Sequence, residues 1–228
     1  MENKETIVIS LGGSIVIPEL PDPEFIKTFC SFIISEVDKG KRFVIIVGGG
    51  KTCRHYQDAL GKIIDATVTD RDWIGIYSTH LNAQLIRMSF GKYAAEHVVV
   101  DPSVLPSFTE PIVIGAGWKP GWSTDYDAIM MAEQVSAKKV INLSNIDYAY
   151  DKDPKKYPDA RKLEKVSWSE YRSFIPAEWT SGLSTPFDPI ASEKADSLGI
   201  EVAIMNGRNI ENLRNYIDGK EFLGTVIK

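Results

Sequence analysis

Three consecutive glycines, Gly48 to Gly50, follow a short apolar run and are followed at once by a cation, Lys51. The run, Phe43 to Val47, is rich in β-branched residues, which predicts a buried strand. Glycine has no Cβ, so a ligand can approach the main chain closely. The next residues have a helical pattern, and the N–H groups at a helix start favour anions. The pattern therefore predicts a phosphate site, although a tight turn without a ligand would have the same pattern.

A second glycine turn, Gly12-Gly13-Ser14, ends another short β-branched run, Thr6 to Leu11. Two strands that both end in glycine turns predict one parallel sheet with two loops at the same edge. Open α/β sheets bind ligands beyond the carboxyl ends of their strands. We therefore expect the two loops to share one site.

The usual nucleotide fingerprints and nucleophile signatures are absent from the chain. Lys51 follows the glycines at the wrong spacing for a Walker loop, and no G-x-G-x-x-G follows the first strand. The three histidines are scattered, and no cluster has metal-ligand spacing. Phosphoryl transfer suits the remaining charged residues, because there the protein mainly positions two anions and neutralises charge. These residues are Lys51, Arg54, Lys119, Asp125 and Asp147.

The composition indicates a globular protein of one large domain or two joined lobes. The chain has 228 residues, 43% of them hydrophobic and 25% charged. A net charge of −5 argues against a general nucleic-acid binder. The polar N-terminus and the absence of a long apolar run predict neither a signal peptide nor a membrane span. With Cys30 and Cys53 expected to be reduced thiols, we predict a soluble cytoplasmic protein.

Strand-like and helix-like segments alternate along the chain, which predicts an α/β fold with a mostly parallel sheet between helices. Its less regular part is a polar excursion predicted for 148–163 and an irregular stretch, 176–189. Further expected elements are a helix from about Asp22 to Gly40, a helix over 52–66, a helix capped by Asp70, strands at 98–100, 111–114, 139–143, 201–205 and 224–227, and helices from about Tyr126 to Val135, from Ser167 to Phe174, over 190–198 and over 210–217.

Several motifs occur in an order that resembles the amino acid kinase superfamily, and within it the archaeal-type uridylate (UMP) kinases. The motifs are Gly12-Gly13-Ser14, Gly48-Gly49-Gly50, Trp73-Ile74-Gly75-Ile76, Leu81-Asn82-Ala83, 117–125, Ser144-Asn145-Ile146-Asp147, 150–154, 188–191 and 224–227. The resemblance covers nearly the whole chain. It implies one three-layer domain over 1–228, with an acceptor lobe over about 1–137 and an ATP lobe over about 138–228.

The resemblance also implies a role for individual residues. Catalysis is assigned to Gly13, Ser14, Lys51 and Asp125, with Asp125 organising the charged groups at the reaction centre. The acceptor is assigned to Gly48, Gly49, Gly50, Arg54, Trp122, Ser123 and Thr124. The ATP site is assigned to Gly12, Gly13, Asn145, Asp147, Tyr150, Asp153, Pro154 and Lys155. Mg²⁺ is expected on the ATP phosphates rather than on protein ligands. Homo-oligomers, usually hexamers formed as trimers of dimers, are expected to bury the apolar surface around Trp73.

The sequence departs from the family pattern at three positions. Most members carry a lysine where this chain has Ser10, and we expect Lys51 to supply the missing positive charge from the other loop. Tyr148 replaces a common glycine beside the ATP motif, and His80 stands where a related subgroup often has arginine.

Three functions remain compatible with these residues. The first is a kinase that converts UMP to UDP. The second is a kinase of the same fold for another phosphate acceptor such as isopentenyl phosphate, because His55 lies just after the glycine loop. The third is a non-catalytic protein that binds ATP and oxyanions, like the molybdenum/tungsten storage proteins. Fold alone does not choose among them.

Overall fold

The computed structural model describes residues 6–105, 107–178 and 185–228. Its β-strands are β1 (Thr6–Leu11), β2 (Arg42–Val47), β3 (Ile112–Gly115), β4 (Lys139–Ser144), β5 (Ala149–Tyr150), β6 (Lys162–Leu163), β7 (Lys165–Val166), β8 (Glu201–Asn206) and β9 (Thr225–Ile227). Seven of them form one sheet in the order β3-β2-β1-β4-β8-β9-β7, and β5 pairs with β6.

The helices in the described part surround this sheet. They are α1 (Gly13–Val16), α2 (Pro23–Asp38), α3 (Gly50–Ile63), α4 (Val68–Phe90), α5 (Thr124–Gln134), α6 (Trp168–Ser173), α7 (Pro189–Leu198) and α8 (Ile210–Ile217), with a 3₁₀ turn at Gly91–Tyr93. None of the described helices is long and apolar enough to cross a membrane.

The sheet is parallel at its centre, where β1 pairs with β2 on one side and β4 on the other. The exceptions are β9, which runs antiparallel to β8, and β7, which pairs in parallel with β9 and so has the same direction. In parallel strands the carboxyl ends meet at one edge. This register therefore brings the turn after β1 beside the turn after β2, and it confirms the predicted mostly parallel sheet.

Helices cover both faces of the sheet. Ile9 and Leu11 of β1 belong to one apolar core, with residues of α1, α2, α4 and α8. The alternate residue Val8 belongs to a second core, with residues of α5, α6 and α7. Successive strand side chains point to opposite faces, so the run of apolar residues in β1, interrupted at Ser10, is what a sheet buried on both faces requires. The three-layer architecture is confirmed.

Some element boundaries differ from the sequence-based expectation. Thr67 caps α4, and Asp70 instead completes a reciprocal capping box with Thr67. No strand forms at 98–100; Val99 makes one isolated parallel bridge with Gly115. Helix α5 begins at Thr124, two residues before the expected start. Part of the irregular stretch predicted at 176–189 lies outside the described residues.

Candidate functional site

A cleft of about 360 Å³ lies at the carboxyl ends of β1 and β2. It brings together every residue that the sequence assigned to catalysis or to the acceptor. These are Gly13, Ser14, Gly48, Gly49, Gly50, Lys51, Arg54, Trp122, Ser123, Thr124 and Asp125, together with Gly12. Residues separated by more than a hundred positions thus share one wall, as parallel strands with a common edge allow.

The two glycine turns contact each other main chain to main chain. A Cβ added at Gly13 would lie 2.0 Å from the amide nitrogen of Gly50, and one added at Gly48 would lie 2.6 Å from the nitrogen of Gly13. Gly50 also has a φ of +60°, a conformation that side chains disfavour. Glycine is therefore required at these positions by the approach of the loops, before any ligand is considered.

Several N–H groups of these turns have no acceptor among the described residues. The amides of Gly48 and Lys51 are used internally, donating to Leu11 O at 2.9 Å and to Ile17 O at 3.0 Å. Those of Gly49 and Gly50 donate to no described residue, and both glycines line the cleft. Free N–H groups at the start of α3 are suited to hold an anion.

Asn82 fixes the second glycine turn from below. Its Nδ2 donates to Gly48 O at 2.9 Å and to Gly49 O at 3.0 Å. The side chain comes from α4 and is only 2% exposed. With the carbonyls of the turn held by Asn82, the peptide groups are oriented before a ligand arrives.

Two cations lie at the cleft rim in different electrostatic situations. Lys51 Nζ is 3.2 Å from Glu19 Oε1, and the other oxygen of Glu19 lies 3.9 Å from His55 Nε2. Arg54 lines the same cleft and forms no ion pair with the described residues. Arg54 is therefore the cation more readily available to an incoming phosphate, while Lys51 must first exchange Glu19 for the ligand.

Asp125 lies in the first turn of α5, whose N-cap is Ser123. Its Oδ1 accepts hydrogen bonds from Ser10 Oγ at 3.0 Å and from Asn142 Nδ2 at 3.1 Å. Burial among protein groups and the nearby negative charge of Asp188 raise the pKa of Asp125 to about 7. Asp125 thus lies at the cleft floor with neutral donors on both neighbouring strands.

Two further carboxyl groups lie near Asp125. Asp188 caps α7, accepting from Ala191 N at 2.9 Å, and it also accepts from the Ser123 hydroxyl. Asp127 is 1% exposed, and neither of its oxygens has a partner among the described residues. Burial raises the pKa of both Asp127 and Asp188. Burial therefore opposes the charged form of all three carboxyl groups.

Helix α4 holds the loop that closes the other side of the cleft, residues 117–122. Asp72 Oδ2 accepts from Gly121 N at 2.8 Å, and Thr79 Oγ1 accepts from Gly117 N at 2.7 Å. His80 Nε2 donates to Gly117 O at 2.8 Å, which requires the proton on that nitrogen. His80 therefore holds the main chain of this loop in place through a hydrogen bond.

The aromatic side chains of this loop form a cluster. Trp122 lines the cleft and packs against Tyr126, with ring centroids 4.1 Å apart. Trp118 lies 6.1 Å from Trp122, and Lys119 Nζ lies 3.8 Å from the centroid of Trp118. The cluster supplies part of the cover that two tryptophans in a loop need.

The residues assigned to ATP, apart from the Gly12-Gly13 turn, do not line this cleft. Asp147 accepts from Asn206 Nδ2 at 3.0 Å, beyond the end of β4. Asp153 Oδ1 accepts from Lys155 N at 2.9 Å, within the polar excursion between β5 and β6. Their set is Asn145, Asp147, Tyr150, Asp153, Pro154 and Lys155. The described cleft is thus lined by the residues that the sequence assigned to catalysis and to the acceptor, and these assignments, like those for ATP, stay predictions.

Sequence reasoning did not assign Asp72, Asn82, Asn142 or Asp188 to the site. Asn142 is a polar residue inside an apolar strand, which is the signal that could have found it, whereas Asn82 lies among other polar residues of α4 and carries no such signal. Asp188 precedes Pro189, an N-cap followed by a proline at the first helical position. Asp72 lies in a mixed helical stretch and carries no such signal.

The chain matches the amino acid kinase family over residues 5–206. It is 32% identical to the uridylate kinase of Methanospirillum hungatei, covering 97% of this chain and 94% of that protein. It is 33% identical to the uridylate kinase of Pyrococcus abyssi, covering 96% and 98%. The crystal structure of uridylate kinase from Archaeoglobus fulgidus superposes with a TM-score of 0.83 at 31% identity, covering 98% of this chain and 100% of that one. The UMP kinase of Bacillus anthracis shares the fold, with a TM-score of 0.78 at 20% identity and coverage of 98% and 95%.

Proposed function

The chain belongs to the amino acid kinase family, and from this we propose that it is a uridylate kinase, which transfers the γ-phosphoryl group of ATP to UMP and forms UDP and ADP. The observation that carries the proposal is the direct contact of two glycine turns at the carboxyl edge of the sheet, with free N–H groups facing a cleft beside Arg54. The names of relatives that match nearly the full chain support UMP as acceptor.

In this proposal the two turns hold two phosphate groups side by side. The turn at Gly48–Gly50, with Arg54, binds the acceptor phosphate, and Gly12, Gly13 and Ser14 face the transferred phosphoryl group. Catalysis then consists of positioning and charge neutralisation, as in phosphoryl transfer generally. Because the turns touch through main-chain atoms, the two anions can approach without side chains between them.

Charge at the centre is supplied by Lys51 and organised by Asp125. Lys51 lies on the acceptor turn and replaces Glu19 with phosphate when substrate binds. Mg²⁺ would be held by the ATP phosphates, and there it would neutralise charge on the transferred group. The glycines of the two turns leave main-chain atoms exposed to the cleft, where a bound triphosphate could contact them.

We assign the acceptor nucleoside to Trp122, Ser123 and Thr124, with the uracil ring stacked on Trp122. Residues of about 1–137 form the acceptor lobe, and about 138–228 the ATP lobe. The ATP contacts of the second lobe are Asn145, Asp147, Tyr150, Asp153, Pro154 and Lys155. The last five flank or lie in the polar excursion, close to the carboxyl end of β4.

We also propose a homo-oligomer, a hexamer built as a trimer of dimers, in the cytoplasm. Trp73, Tyr77, Leu81 and Met88 lie on one face of α4 and are 42%, 64%, 65% and 65% exposed. Their spacing places them in one apolar stripe, which a subunit contact would cover. The free thiols of Cys30 and Cys53 are consistent with a reducing compartment such as the cytoplasm. There the proposed activity would serve pyrimidine nucleotide biosynthesis.

A coupled ADP-release assay across nucleoside monophosphates and isopentenyl phosphate tests the acceptor. We expect UMP to have the highest kcat/KM, and isopentenyl phosphate to be turned over poorly, since His55 does not line the cleft. Faster turnover of isopentenyl phosphate would move the protein to another acceptor. Binding of ATP and molybdate without ADP release would instead favour a storage role.

A further inference from the structure

Ser10 and Asn142 lie side by side in the middle of the sheet. They are partners in the parallel register of β1 with β4. Their relative exposures are 3% and 4%, and the neighbouring positions on both strands are apolar. Buried polar side chains nearly always form a hydrogen bond with another group. The partner of this pair is therefore informative.

Both side chains donate to one atom, Oδ1 of Asp125. Asn142 Nδ2 also reaches Pro186 O at 3.3 Å, which fixes the orientation of its amide. In the described ranges no lysine or arginine forms an ion pair with Asp125. Among side chains, the carboxyl group is thus held by two neutral donors from two strands and by no described cation, while the main-chain N–H of Asp188 also acts on it and lowers its pKa.

We propose that Ser10 and Asn142 are positioning residues for the phosphoryl transfer, fixing Asp125 through Oδ1 so that its Oδ2 serves the reacting groups. The inference rests on the proposed function. No described side chain donates to Oδ2, and Asp125 lines the cleft. Two donors from adjacent strands set the direction of the carboxyl group more tightly than one flexible cation would.

Hydrogen bonds from the pair also act on the charge state of Asp125, and the one from Ser10 lowers its pKa against the larger effect of burial. Hydrogen bonds donated to a carboxylate favour its charged form and lower its pKa, while burial and like charges raise it. The titratable groups that face Asp125 are Asp188 at the start of α7, Asp127 on α5 and Tyr171 on α6. Tyr171 stays neutral because burial raises its pKa. Loss of Ser10 or Asn142 should therefore raise the apparent pKa of Asp125.

The test compares Ser10→Ala, Asn142→Leu and the double variant in steady-state assays with ATP and UMP across pH. Each single variant should lower kcat roughly tenfold, the scale of a hydrogen bond to a charged group, with both KM values within about twofold. The double variant should lose less than the product of the singles, because both donors act on one oxygen. The apparent pKa that limits kcat should move upward.

Two controls separate positioning from general destabilisation. Ser10→Thr keeps the hydroxyl and should retain most of the activity and the wild-type pH profile. Ser78→Ala removes a buried hydroxyl that bonds Ile74 O outside the cleft, and it should leave kcat and the profile unchanged. A raised KM with unchanged kcat, or a pH profile that does not move, would overturn the inference.

A second measurement keeps the inference independent of the acceptor. Urea unfolding from about pH 5 to about pH 9 compares Ser10→Ala in the wild-type and Asp125→Asn backgrounds. The cost of Ser10→Ala should vary with pH only while Asp125 is present. If the wild-type protein formed no UDP, the proposed function would fail while this cycle still measured the contact. A cost of the same size at every pH in both backgrounds would refute the contact itself.

Discussion

Gly13→Ala tests whether the contact between the two glycine turns is needed for activity. The added methyl group would lie 2.0 Å from the amide nitrogen of Gly50, whereas real Cβ contacts essentially never fall below 3.0 Å. The turns must therefore separate by about 1 Å, and both partners are main chain, which cannot swing aside as a side chain would. A displacement of about 1 Å in a catalytic site costs roughly a hundredfold in rate.

The measurement is kcat/KM for ATP and UMP in the ADP-release assay, with circular dichroism to verify folding. Gly61→Ala, on the exposed helix α3, is the matched control, since its added methyl group meets only the terminal guanidinium atoms of Arg71 from α4. It should keep full activity and raise the free energy of unfolding by up to about 1 kcal/mol. A folded Gly13→Ala protein with wild-type kcat/KM would show that the two turns need not touch, and the proposed pairing of phosphates would be wrong.

Three other substitutions test the remaining assignments. Lys51→Met should lower kcat by about two to three decades, as expected for removing a charge stabiliser; unchanged kcat would mean that Lys51 serves only Glu19. Asp125→Asn should abolish most turnover, yet it should stabilise the folded protein at high pH. The pKa of Asp125 is about 7 in the folded state and 3.8 in the unfolded state, so the charge on Asp125 opposes folding increasingly as the pH rises through that range. The gain in unfolding free energy should reach at most about 4 kcal/mol above pH 7 and vanish below about pH 4; a pH-independent gain contradicts this. Trp122→Leu should raise the KM for UMP about tenfold, more than that for ATP, and remove most of a UMP-induced fluorescence change; a smaller oligomer on a sizing column with unchanged UMP kinetics would assign Trp122 to assembly.

Local sequence patterns predicted the elements that depend on local chemistry. The β-branched run before Gly48 became β2, and Asn209 caps α8 over the predicted residues. Residues 98–100 were expected to form a strand because they are β-branched, but the chain there makes one bridge, at Val99, to the short edge strand β3. The tendency of β-branched residues to form a strand depends on how the chain lies against its neighbours, and no local pattern contains that information.

In the candidate site, too, the features set by local sequence were predictable and the contacts between distant residues were not. Its glycine turns were predictable because glycines directly after a buried strand mark a turn at the carboxyl edge of the sheet, with or without a ligand. The partners of Asp125 were not, since Ser10 and Asn142 lie 115 and 17 positions away and meet Asp125 only through the register of β1 with β4. Likewise, the sequence does not indicate that Asp72 would accept from Gly121, because that contact depends on how α4 crosses the loop.

Helix α4 is one continuous helix that contacts two sides of the cleft. Its 23 residues span about 34 Å at 1.5 Å per residue. Along that length Asn82 forms hydrogen bonds with the Gly48–Gly50 turn, and Asp72, Thr79 and His80 form hydrogen bonds with the 117–122 loop. The apolar stripe of the same helix faces outward. A shift at one end of a continuous helix is transmitted along its length, so pressure on the stripe from a second copy of the chain would move the glycine turn and the 117–122 loop together. Communication between active sites in an assembly would then need no relay beyond this one helix.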